Sequence, residues 1–173
     1  MYRIEARTVV ERSAEDIWAY IADLSLLKAW DPDVLEVRWT PPARLDQRFT
    51  IVVDLIGGRP LVGDARIVTC EPSRRIGWEA RPQAPGWVTG GGRSFLIATY
   101  VTEPISEDRT RLTRRLELEP HGLLALVGPA MTFLARRERY AEISNLKRIL
   151  ESNQPSNGVH FDALEARNLT ADR

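Results

Sequence analysis

The chain opens on loose alternation. In "YRIEARTVVE" (2–11), Ile4, Ala6, Thr8 and Val10 share one face, which predicts a strand. "SAED" follows, with Ser13 as N-cap and Asp16 three residues on, the pattern of a capping box with a shorter acid. A helix over about 14–22 buries Ile17, Trp18 and Ile21, and a second short one covers about 24–29. Asp31-Pro32 ends it, because a residue before proline is pushed out of the α region.

From Val34 the period becomes two. Val37 and Trp39 pair, Pro41-Pro42 breaks the run, and "RFTIVVDLI" puts Phe49, Ile51, Val53 and Leu55 on one face. Gly57-Gly58 turns the chain into a strand over 61–71, ended at Glu71-Pro72. Ile76, Trp78 and Ala80 mark the next, and 94–103 and 110–119 are two more around "ISEDR". After Pro120 the pattern is helical: a turn or two at "HGLLALV", an interruption at Gly128-Pro129, then a long helix to about 152 with Leu134, Ala141, Ile143, Leu146 and Leu150 apolar. The Arg136–Arg139 block divides that stripe, so a bend or a change of packing partner is expected there. The polar remainder, 153–173, reads as a loosely held tail with a short helix over 161–168 at most.

This order, one strand, two short helices, six strands and one long helix, predicts an α+β fold over 1–152. Six strands with short connections form an antiparallel meander. One long helix is its main cover, and a curved sheet around one helix leaves an internal space, the candidate site.

Composition adds exclusions. With 24 basic and 24 acidic residues the net charge is zero, which supplies no field toward nucleic acid or acidic lipid. One cysteine, Cys70, excludes an internal disulfide and fits a reducing cytoplasm, the expected location. No apolar run approaches the roughly 20 residues that span a bilayer, so no membrane insertion is expected. The N-terminus does not read as a signal or transit peptide.

The chain resembles the helix-grip superfamily that includes START domains and the polyketide cyclases/dehydrases, often grouped as SRPBCC. The resemblance rests on "VVERSAEDIWAYIAD" (9–23), Asp23-x6-Trp30-x-Pro32-x-Val34, Glu71-Pro72-x3-Ile76, "TRLT" (110–113) and "LKRILE" (146–151), in this order across 2–151. Arg109 stands where most members carry glycine, and many members lack a tail like 153–173. The resemblance implies a curved seven-stranded antiparallel sheet around the C-terminal helix, with a cavity whose entrance lies at one end of the sheet. By the parity of the meander that end collects Trp30, Asp31, Arg59, Trp87, Gly90, Gly91, Gly92 and His121. Trp30 would close it, an apolar edge inward and its indole N–H toward a polar partner.

Among polar residues Arg114 is the most informative. It falls on the apolar face of "TRLTRRLELE" with Leu112, Leu116 and Leu118, so it needs a carboxylate partner, water or an anionic ligand. His121, after the last strand, is a candidate proton-transfer group, as is Tyr100; a surface or capping role is the plainer reading of His121. Asp23, Asp31 and Asp33 fit caps better than ligand contacts. Strand 94–103 is apolar on both faces, which leaves the direction of Tyr100 and Thr102 open, and Trp78 is equally ambiguous. Trp30, Trp78, Trp87, Tyr100, Arg114, Met131 and Leu134 make up the expected ligand-lining set. "TGGGR" lacks the Gly-Lys-Ser/Thr ending of a phosphate loop and reads instead as a flexible lip. Two distant histidines and one cysteine give no metal-site spacing, and no cofactor is expected.

The leading expectation is binding or carriage of a small hydrophobic ligand, aromatic, acyl or polyketide-like. The alternatives are a polyketide cyclase/aromatase acting through Arg114 with His121 or Tyr100, and a protein-interaction module using the tail or the Arg136–Arg139 block. A homodimer is compatible with the pattern.

Overall fold

The structure is a computed structural model and describes residues 1–54 and 60–152, with side chains described outside 127–140. Seven strands are assigned: β1 (Tyr2–Val10), β2 (Val34–Arg38), β3 (Arg48–Asp54), β4 (Pro60–Glu71), β5 (Arg75–Pro82), β6 (Phe95–Ser106) and β7 (Arg109–Glu119). They form one antiparallel sheet in the order β1-β7-β6-β5-β4-β3-β2. The chain therefore meanders from β2 to β7, and β1 closes onto β7. Helix α1 (Ala14–Ile21) and a 3-10 helix (Leu24–Ala29) link β1 to β2, α2 (Gly86–Thr89) lies between β5 and β6, and α3 (Leu123–Ser152) ends the fold.

Local chemistry explains the first helices. Ser13 Oγ accepts from the Asp16 N–H at 3.1 Å, so one free N–H of α1 is satisfied. Asp23 caps the next element, accepting from Ser25 N at 3.0 Å. The turn that follows has 3-10 geometry. Asp31 is buried, and its Oδ1 accepts from Asp33 N at 3.1 Å.

The core lies between the concave face of the sheet and the helices. Ile17, Ile21, Leu24 and Leu27 meet Ile67, Ile76, Leu112 and Leu116, and Ile143, Leu146 and Leu150 come from α3. The C-terminal end of α3 is fastened to the end of β1. Lys147 Nζ donates to Val9 O at 2.6 Å, Arg12 Nε to Leu150 O at 3.0 Å, and Glu11 N–H to Glu151 Oε1 at 3.0 Å.

Two sequence expectations change. Helix α3 runs through Gly128-Pro129 instead of starting anew there. A proline inside a helix removes one hydrogen bond; further along, Ile143, Leu146 and Leu150 anchor the same helix by burial. The strand through Phe49 is described as far as Asp54; Leu55, the Gly57-Gly58 turn and Arg59 lie outside the described residues, as does the tail 153–173.

The second concerns "TGGGR", which is hydrogen-bonded into a corner at both ends. The Ser94 hydroxyl lies 3.0 Å from Thr89 O and accepts from His121 N at 2.7 Å, and Gly92 N donates to Thr89 Oγ1 at 2.9 Å. Gly90 and Gly122 hold positive φ (66° and 61°) and approach so closely that a Cβ on Gly122 would stand 2.5 Å from Gly90 N. Only Gly91 and Gly92 face open space.

Candidate functional site

The antiparallel register lays the inward side chains out in rungs across the sheet. One rung is Tyr2, Leu118, Leu96, Ala80 and Ala65. The next is Ile4, Leu116, Ala98, Trp78 and Ile67. The third is Ala6, Arg114, Tyr100 and Ile76. The alternation resolves the two ambiguous aromatics: Trp78 and Tyr100 both face inward and are buried.

The first rung borders a cavity of about 90 Å³. Buried Ile51, Gly63, Trp78, Ala80 and Ser94 form its inner wall, and half-buried Tyr2, Leu61, Phe95, Leu118 and Leu124 carry it to the surface. Its space comes from small residues: Gly63 and Ala80 occupy sheet positions where larger side chains would fill it. Arg81 is exposed and borders the cavity from a strand whose alternation turns its side chain outward, where it pairs with Glu79 at 2.8 Å. The cavity lies at the end where α2 and the β7–α3 joint meet, the end that the meander parity singles out.

The third rung carries the polar chemistry. Arg114 is 3% exposed, and its Nε donates to Oε1 of Glu142, 1% exposed, at 2.9 Å. A second nitrogen, NH1, donates to Arg115 O at 2.9 Å. The Tyr100 hydroxyl donates to the same Glu142 oxygen and accepts from Trp30 Nε1 at 3.0 Å. The guanidinium carbon lies 4.7 Å from the Tyr100 ring centre and 5.7 Å from that of Trp78, within cation–π range. Burial pushes the Tyr100 hydroxyl well above its ordinary range; the Glu142 carboxylate adds to the shift and Arg114 opposes it. The result is a continuous line, indole to phenol to carboxylate to guanidinium, sealed in the core.

The sequence-selected residues therefore divide. Arg114, Tyr100 and Trp30 come together in this network, and none is among the described cavity-lining residues. Trp30 stands deeper than its expected place at the mouth, because its N–H reaches Tyr100 and its ring packs 5.3 Å from that of Tyr20. Trp78 borders both cavity and network. Trp87 is 71% exposed on α2 and is not among the lining residues. His121 is half-buried with Nε2 3.2 Å from Glu119, remote from the network by sheet position. The side chains of Met131 and Leu134 lie outside those described. Sequence reasoning missed Glu142, although it shares a helical row with Leu146 and Leu150 at i+4 and i+8, an acid on an apolar stripe that mirrors Arg114 on its strand. Among the described residues no group of His, Cys, Asp or Glu is arranged to hold a metal ion, and no helix is long and apolar enough to cross a membrane.

Residues 1–151 match the family described as polyketide cyclase / dehydrase and lipid transport. The chain belongs to that family. Similar solved structures include the Zhui aromatase/cyclase from a Streptomyces species, with a TM-score of 0.73 at 17% identity, covering 91% of this chain and 99% of that one. A START superfamily protein from Mycobacterium smegmatis has a TM-score of 0.64 at 18% identity, covering 88% of this chain and 99% of that one. At these identities the likeness is one of fold, and it places the protein among helix-grip, START-like structures. No curated protein matches the sequence.

Proposed function

We propose that the protein binds or carries a small hydrophobic ligand, aromatic, acyl or polyketide-like, in the cavity on the concave face of the sheet. The observation that carries this reading is the lining: apart from Tyr2, Trp78, Arg81 and Ser94, the described lining residues are hydrocarbon side chains and glycine. Burial of apolar ligand surface is worth about 25 cal/mol per Å². A volume of about 90 Å³ is of the same order as an apolar cavity of ~150 Å³ that accepts benzene. Larger ligands require the rim to move.

A cyclase reading draws on one specific observation, the convergence of Arg114, Tyr100 and Glu142 inside the grip. Carriage is favoured because those groups hydrogen-bond one another and Trp78 stands between them and the cavity. The test is native mass spectrometry of protein purified from its source, followed by denaturation. The expected result is a co-purifying apolar small molecule released on unfolding. A bare chain that also fails to bind any of a panel of apolar ligands overturns carriage. Conversion of a linear poly-β-ketone to a cyclised product by the purified chain moves the assignment to the cyclase.

A further inference from the structure

Among the described residues, Trp78 is the one that touches both the cavity and the buried polar network. Four members of the first rung (Tyr2, Leu118, Leu96 and Ala80) line the cavity; of the second only Trp78 does; of the third none. Trp78 lines the cavity, and its ring centre lies 5.9 Å from that of Tyr100 and 5.7 Å from the Arg114 guanidinium carbon. It is wedged by the Phe49 ring, edge-on at 6.3 Å. Its strand neighbour on β6 is Ala98, which is too small to close the space by itself.

We propose that Trp78 is the specificity-determining residue of the cavity: its ring sets the depth and keeps ligands off the Arg114–Glu142 pair, so the site selects short, uncharged apolar molecules. The proposal rests on the carriage reading and adds the class of ligand to it. Among the described lining residues Arg81 alone carries a positive charge, and its side chain turns outward, so an anionic head at the Trp78 end would lose its hydration without a cationic partner from them, which is costly. A chain longer than the cavity would have to displace a ring held on both sides.

The test is calorimetric titration of the full chain with a homologous series of straight-chain primary alcohols and the matching carboxylates. In the unaltered protein short alcohols bind, and each matching carboxylate binds at least about tenfold more weakly. In Trp78→Ala the preferred alcohol lengthens, with about tenfold tighter binding of the longer members than in the parent. Trp78→Phe gives a smaller shift in the same direction and keeps an aromatic ring against Tyr100, which guards against misfolding of the alanine variant. Carboxylates that bind the parent as well as the alcohols overturn the proposal, as does an unchanged length preference in the folded Phe variant; either result leaves carriage standing. Failure of every alcohol to bind the parent removes carriage, and the role of Trp78 falls with it.

Discussion

Arg114 on β7 and Glu142 on α3 share a hydrogen bond of 2.9 Å in the interior, and it joins the sheet to the helix that the sheet grips. Removing one partner takes this bond from the other charge in a low-dielectric site. Glu142→Ala or Arg114→Ala should each cost about 3–5 kcal/mol in urea unfolding. The double variant Arg114→Met/Glu142→Leu should recover most of that loss, since a buried pair is often replaceable by well-packed apolar side chains.

Tyr100→Phe removes the hydroxyl that serves Trp30 and Glu142 together. The indole N–H loses its acceptor and the carboxylate loses a donor, so a loss of about 1–3 kcal/mol is expected in equilibrium unfolding. The indole also becomes a fluorescence reporter, because its hydrogen-bonded environment changes.

The same residue predicts a pH dependence. The folded state raises the Tyr100 hydroxyl above its ordinary value of about 10, mainly by burial. The unfolded chain therefore ionises first as pH rises. The stability contributed is complete below about pH 10 and is lost progressively above it. Unfolding measured across the alkaline range should show a falling slope in the parent and a shallower one in Tyr100→Phe.

Ala80→Leu projects a larger side chain into the cavity from the rung that lines it. Ligand binding should be abolished, while stability changes by no more than about 1–3 kcal/mol because the added carbons enter existing space. Calorimetric titration with a short alcohol, alongside a thermal melt, separates the two effects.

Gly122→Ala places a Cβ 2.5 Å from Gly90 N and 2.6 Å from Trp87 O in a backbone with φ of 61°. Strain of about 1–3 kcal/mol is expected, and its effect is local: amide exchange at Gly91, Gly92 and Ser94 should accelerate far more than exchange at Ala98 or Tyr100.

Period-two patterning and turn signals mark seven strands and the meander of the last six, because the connections are short; the pairing of β1 with β7 is not legible in them. The patterning also marked Arg114 as an anomaly, a charge in phase with leucines. What it could not supply was rotation and reach. The apolar positions of the long helix point in two directions around Arg136–Arg139, so the face that carries Glu142 toward Arg114 could not be chosen from spacing. The depth of Trp30 is likewise not legible in spacing: it is 1% exposed because its N–H reaches Tyr100 across the core. The corner at Gly90 and Gly122 depends on contact between segments some thirty residues apart in sequence, which local turn signals do not encode.

The four members of the buried polar line come from the 3-10 helix end, β6, β7 and α3, so it closes only after the 3-10 helix and α3 have both docked on the sheet. Such a contact belongs to the late side of the folding barrier, where it slows escape from the native state more than it hastens arrival. The network then acts as a latch on the lifetime of the grip: conservative changes within it should show in stopped-flow experiments as faster unfolding with little change in the rate of refolding.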